Sequence, residues 1–185
     1  MRVPNAVFTR MDQSTAQEWG WIVAQTKANQ GRVADGILAM LSSLAAITDG
    51  FVVDQLTHCL QTATLAEAAG SDDELIAAAL CHDMGKAISV ANHGPIAAEI
   101  LRPYVRDDIT WMLRVHQDFQ GLHYYGLVGA DPTLRNAYAD HPAYAMTARF
   151  TDEWDQIAFD PHGETRPLEH FEPLIRSIFA RPRSL

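Results

Sequence analysis

Ser71-Asp72-Asp73-Glu74-Leu75-Ile76-Ala77-Ala78-Ala79-Leu80-Cys81-His82-Asp83-Met84-Gly85-Lys86 is the stretch on which the reading of this chain turns. Ser71 to Glu74 has the form of a capping box, which opens a helix. The apolar run that follows is helical and ends in His82-Asp83, with Gly85 as the stop. Polar groups at the end of so oily a segment are expected to be buried, and buried polar groups need partners. A metal ion is a partner that serves both.

The rest of the chain reads as helix after helix. Ser14-Thr15-Ala16-Gln17 is a second capping box, opening a helix that Gly31 ends. Val33, Ile37, Leu41 and Leu44 recur at helical spacing. Thr48-Asp49-Gly50 is a turn, and residues 52–69 form a helix closed by Gly70. Asn92 caps a short helix over 95–101. Asp107 or Asp108 starts another that reaches His116. Residues 117–131 read as an aromatic-rich loop. Asp140 caps a long helix with Pro142 in its first turn, running past Asp155. The last helix spans 168–179 and is expected to break or begin at Pro173. No strand pattern competes, so the fold class is all-α.

The chain has 185 residues, enough to bury a core, and 48% of them are apolar. A net charge of −9 argues against a nucleic-acid partner and against an anionic membrane surface. No run approaches the roughly 20 apolar residues of a spanning helix. Residues 1–10 carry no signal-peptide pattern, so a cytoplasmic protein is expected. The two cysteines, Cys59 and Cys81, read as reduced core thiols.

Seven polar residues, with Asp152 and Asp155 as alternatives for one place, fall at suggestive positions on these helices. His58 lies mid-helix between Leu56 and Leu60, His82 and Asp83 end one helix, His93 enters another, and His116 ends a fourth. Asp152 and Asp155 stand i,i+3 on a late helix, so either could face the interior. Imidazoles and carboxylates together suit Fe, Mn, Zn or Co. One metal needs about four protein ligands or fewer, so six candidates leave room for two.

The order His58, His82-Asp83, Asp155 resembles the HD-domain superfamily, an all-α metal-dependent fold. The stretch from Asp54-Gln55-Leu56-Thr57-His58 to Asp155 carries the resemblance. His93 and His116 fall where dinuclear members place two further histidines. The resemblance implies a helical bundle with a dinuclear site in its core. Its metal ligands would be His58, His82, Asp83, His93, His116 and Asp155, with Asp83 as the bridge. Asp155 is preferred to Asp152 because Trp154-Asp155 resembles the Trp-Asp at the last ligand of some relatives. The whole chain, 1–185, would be a single HD-type domain, with N-terminal helices (1–47) packing on a metal-binding core (48–185).

Two branches of the superfamily compete. The chain is similar to the mixed-valent di-iron oxygenases, among them the phosphonate-cleaving HD oxygenases and myo-inositol oxygenase, in Gln55-Leu56-x-His58, in Trp154-Asp155 and in Leu168-Glu169-His170-Phe171. His82-Asp83-Met84-Gly85-Lys86 is also similar to the metal-dependent phosphohydrolases. The first branch implies two irons (Fe2+/Fe3+), dioxygen and oxidative cleavage of a small hydroxylated substrate. The second implies Mn, Zn or Co and a small phosphate ester or nucleotide. A third reading is a degenerate HD module that binds a ligand without turnover. In either enzyme Asp83 and Lys86 would be catalytic, and Lys86 would also touch substrate.

The departures bear on the substrate. Phosphonate-cleaving relatives carry a Tyr-x-Gly-Glu stretch that gates the iron; here Thr48-Asp49-Gly50-Phe51 keeps only the glycine. Their anion-holding Lys and Arg correspond to Gln120 and Asp152, which cannot supply charge-assisted bonds to a phosphonate. In place of that clamp stand Gln117, Asp118, Gln120, His123, Tyr124 and Tyr125. This hydrogen-bonding and aromatic set is expected to line a pocket for a polyol, hydroxy acid or small cation. Asp152 is carried as a further substrate-binding candidate.

Overall fold

In the computed structural model, which describes residues 4–180 and 182–183, every regular element is helical. Residues 1–3 of the N-terminal stretch lie outside the described residues. Helix α1 spans Ala16–Gln30, α2 Val33–Ser43, α3 Gln55–Ala68, α4 Asp73–Cys81, α5 His93–Leu101, α6 Asp107–Gln120, α7 Tyr144–Arg149 and α8 Leu168–Ile178. Short 3₁₀ turns join most of them.

Caps account for several boundaries, and each capping box shifts by one residue from its sequence reading. Glu18 accepts from the Thr15 backbone N–H at 3.0 Å, so the first box is Thr15–Glu18 rather than Ser14–Gln17. The Ser14 hydroxyl donates to Met11 instead. Asp72, not Ser71, accepts from Leu75 N–H and starts α4. Asp54 accepts from the N–H and the hydroxyl of Thr57, which begins α3 after Val52 and Val53.

The later helices differ more. α6 runs on to Gln120, because Phe119 keeps the buried face that Met112 and Val115 begin. Gln117 and Gln120 therefore stand on a helix and not in a loop. α7 starts at Tyr144 instead of being capped by Asp140; the His141 ring accepts from Ala143 N–H. It does not continue regularly through Asp155, since Phe150–Trp154 form a π turn. α8 is continuous through Pro173. The carbonyl that loses its partner there belongs to Glu169, an exposed residue that water can serve.

α3 lies along α4, α5 lies along α6, and α8 covers α2 and α4. Between them sit Leu41, Leu44, Leu80, Met84, Leu101, Met112, Leu113, Phe171 and Phe179, all almost fully buried. α2 joins this core through Ala34, Ile37 and Leu41, whereas α1 buries only Glu18. That carboxylate is taken up by the N–H groups of Val7, Phe8 and Thr15. Cys59 and Cys81 are free and fully buried, and burial pushes the Cys81 thiol up to about 12. Among the described residues no helix is long and apolar enough to cross a membrane.

Leu80 sits in α4 close to the polar cluster, so Leu80→Ala is expected to leave a cavity and cost about 2–5 kcal/mol, read as a lower midpoint in chemical denaturation.

Candidate metal centre

Helix ends bring six side chains to one point. His58 comes from the first turn of α3, His82 and Asp83 from the exit of α4, and His93 from the first position of α5. His116 comes from α6, and Asp155 follows the π turn. All six are at most 4% exposed. Close backbone approach makes this convergence possible. A Cβ at Gly85 would collide with the backbone of His93, and one at Gly94 would press on Leu113 O and the His116 ring. Gly85, read from the sequence as a helix stop, is thus needed for space.

Each histidine is oriented by its own backbone contact. Nδ1 of His58 donates to Ala158 O, and Nδ1 of His82, His93 and His116 donates to the carbonyl three residues earlier, Ala79, Val90 and Leu113. A neutral imidazole that donates from Nδ1 carries its lone pair on Nε2. The four Nε2 atoms point at one another in pairs, His58 to His82 at 3.1 Å and His93 to His116 at 3.2 Å. Two lone pairs cannot satisfy each other, so each pair calls for a cation between its members.

Asp83 stands between the pairs. Its Oδ1 lies 3.1 Å from His93 and 3.6 Å from His116, while its Oδ2 lies 3.5 Å from both His58 and His82. Asp155 Oδ1 completes the first group, 3.1 Å from His58 and 3.5 Å from His82. Asp155 Oδ2 is buried without a hydrogen-bond partner among the described residues. These donors fit a divalent metal: neutral imidazoles, ionised carboxylates and an unmet buried oxygen. His58, His82 and Asp155 could hold one ion, and His82, Asp83 and His116 are also close enough to do so.

Electrostatics agree. Burial alone would push both carboxyl groups up, but the attraction of His82 holds both well below the usual carboxylate range, helped by His116 and Lys86 at Asp83 and by His58 at Asp155. Burial pulls His58 down, yet its hydrogen bond and charge interaction with Asp155 leave it raised overall. His93, whose largest influence is burial, is lowered. Without metal, a proton on His58 therefore serves the first pair.

The two late aspartates part company. Asp155 is buried, whereas Asp152 turns away to Arg135 and His123. The π turn accounts for this, because its wider i→i+5 winding changes the rotation between residues 152 and 155. A regular helix would have put them on one face.

Above the cluster lies a cavity of about 540 Å³. Lys86, Gln117, Gln120, His123 and Tyr124 line it, as do Asp83 and His93; Asp152 does not, and reaches it only through His123. Lys86 Nζ is 2.6 Å from Asp83 Oδ2 and donates to Gln55 Oε1 at 2.8 Å. Burial lowers this ammonium but the Asp83 charge more than offsets it, so Lys86 is raised and stays charged. Gln120 Nε2 donates to Asp155 Oδ1 at 2.8 Å. Phe159 stacks on His58 at 4.2 Å and Phe51 on Phe159 at 4.8 Å, forming an aromatic wall.

Gln55, Phe159 and Arg135 join the site without having been legible as parts of it in the sequence. Phe51 stood out there only as a departure from a gating stretch. Gln55 and Phe159 neighbour ligand-bearing turns, a weak signal; Arg135 had none, its partner being 17 residues on.

A comparison with sequence-family profiles matches residues 56–155, more than half of the chain, to the HD domain. The chain belongs to the HD domain family. The match opens two residues before His58, closes on Asp155, and so contains the whole cluster. HD domains bind divalent metals and are typically metal-dependent enzyme domains. A search of curated proteins returns no match.

Gly85→Ala should displace His93 and lower the metal content of purified protein, measured by inductively coupled plasma mass spectrometry, while the fold survives by circular dichroism. Gln120→Leu should weaken metal binding about 10- to 100-fold, since it removes the partner of a ligating carboxylate. Metal loading should release the His58 proton. Because that group is raised above its ordinary 6.5, release is expected to be largest at or below pH 6.5 and to fade as pH rises through the raised value, followed with an indicator dye in weak buffer.

Proposed function

We propose that this HD domain is a dinuclear metalloenzyme, a mixed-valent di-iron oxygenase that oxidatively cleaves a small polar hydroxylated substrate. The carrying observation is Asp83 set between two facing imidazole pairs, one oxygen toward each. That arrangement supports two ions sharing one carboxylate. His58, His82 and Asp155 would hold one, His93 and His116 the other. When bound, the iron pair would supply dioxygen activation and the redox equivalents.

The chain's own residues do the rest. Gln117, His123 and Tyr124 offer hydrogen-bonding groups suited to substrate hydroxyls. Phe51 and Phe159 shield the His58 side from water. Gln120 keeps Asp155 in place. Asp83 is the proposed bridge, and Lys86 beside it holds a positive charge at the cavity floor.

The cationic inventory favours this over phosphoryl transfer. No arginine lines the cavity among the described residues, and Lys86 is already ion-paired with Asp83 and bound to Gln55. Apart from bound metal ions, a phosphate would find no uncommitted arginine or lysine among the described residues on this wall. The alternative is a phosphohydrolase using Mn, Zn or Co, and one observation favours it: the charged Lys86 lies close enough to the bridge to offset charge on a phosphoryl group.

Anaerobic iron loading followed by partial oxidation is expected to give a mixed-valent electron paramagnetic resonance signal. A screen of polyols, hydroxy acids and small quaternary amines should then show substrate-dependent dioxygen uptake. Phosphate release from nucleotides or sugar phosphates without dioxygen uptake would overturn the oxygenase reading in favour of the hydrolase. Asp83→Asn is expected to abolish either activity and reduce bound metal.

A further inference from the structure

Outside the metal cluster, one side-chain group on the cavity wall has the build of a proton-transfer device. His123 Nε2 donates to Asp152 Oδ1 at 2.8 Å. Asp152 in turn accepts from Arg135 Nη1, at 2.9 Å on Oδ1 and 3.0 Å on Oδ2. The three residues come from three places: the 3₁₀ turn Gly121–His123 after α6, the π turn Phe150–Trp154, and the 3₁₀ turn Leu134–Tyr138. His123 alone of the three lines the cavity, and Arg135 is the most covered of them, 17% exposed in its side chain.

We propose that His123 is the general base of the cavity, held by Asp152 as the tautomer protonated on Nε2, with Nδ1 bare toward a bound substrate. Asp152 and Arg135 are positioning residues. The proposal rests on reading the cavity as an active site, but on neither choice of chemistry there.

Three observations carry it. First, a ring that gives Nε2–H to a carboxylate has its lone pair on Nδ1, and Nδ1 takes no hydrogen bond among the described residues. Second, Arg135 satisfies the charge of Asp152, so the carboxylate can fix the ring's orientation without requiring the ring to be charged. Third, the other polar groups on the wall suit proton acceptance less well. Lys86 is charged and ion-paired, Asp83 is engaged by the histidines and Lys86, and Gln117 and Gln120 do not titrate. His93 is committed at Nδ1 to Val90 O and faces His116 with Nε2; Asp49 and Tyr124 are the remaining titratable groups on the wall, and Asp49 is exposed.

In the proposed step the O–H bond of a substrate hydroxyl or water breaks and an H–Nδ1 bond forms. The electron pair stays on the oxygen, and Asp152 stabilises the imidazolium until it returns the proton to solvent or product.

Nitrogen-15 NMR of the imidazoles in zinc-loaded protein, with His123 assigned through His123→Gln, should show the Nε2–H tautomer near pH 8. Asp152→Asn should bring up the Nδ1–H form. A wild-type ring in the Nδ1–H form would overturn the proposal whatever the enzyme's chemistry. With whichever substrate turns over, His123→Gln should lower kcat about 100- to 10,000-fold with metal content little changed, and should remove the acid limb of the kcat profile. His123→Gly should regain turnover on addition of free imidazole. Retained turnover in His123→Gln, or a lower kcat that imidazole does not restore, would reject the base while leaving the enzyme reading intact. Absence of any turnover in the wild type would reject both together.

Discussion

Four imidazoles spend their Nδ1 hydrogens on the carbonyls of Ala158, Ala79, Val90 and Leu113, and this leaves four Nε2 lone pairs converging around one buried carboxylate. Much of the rest of the fold serves that constraint. The donors are fixed by backbone geometry, so the rings cannot turn away without stranding a buried N–H. A cation at the convergence resolves the conflict. The helices of this HD domain are, in this sense, a scaffold for a set of donors that could hold a metal ion.

The helices provide the arrangement by ending in the right place. α4 stops at Cys81 so that His82 and Asp83 leave the helix at the core, and α5 begins at His93 itself. Gly85 and Gly94 let the two segments touch, their missing side chains giving room for the His93 backbone and the His116 ring. The π turn before Asp155 separates two aspartates that a regular helix would have aligned. One then faces the histidines and the other braces the cavity wall.

The cationic side chains around the cavity share one feature: each is already engaged by a partner within the protein. Lys86 is bound up with Asp83 and Gln55, Gln120 supports Asp155, and Arg135 is held off the cavity by Asp152. Cations that could meet an anion are committed within the protein. Other groups on the wall, Gln117, His123, Tyr124 and the exposed Asp49, are hydrogen-bonding side chains set beside the aromatic rings of Phe51 and Phe159.

The all-α class and the six members of the cluster were legible in the sequence, because both depend on local chemistry. Apolar periodicity marks helices, and a His-Asp pair at the end of an oily helix must find a partner once the helix is buried. Helix ends were less legible: the capping boxes shifted by one residue, and α6 ran four residues further, since the burial of Phe119 is a tertiary fact. Which of Asp152 and Asp155 faces the histidines rested on resemblance until the π turn separated them. The roles of Gln55 and Phe159, and the joining of His123 and Asp152 to Arg135, depended on the three-dimensional structure. Their partners stand on other elements or turns, and nothing in local spacing records which side chains will meet. The sequence by itself thus determined that a buried histidine–aspartate cluster forms among helices. The tertiary structure decided which lone pairs face each other, which charges are already neutralised, and which ring nitrogen is left free, because those depend on orientation and distance across the fold.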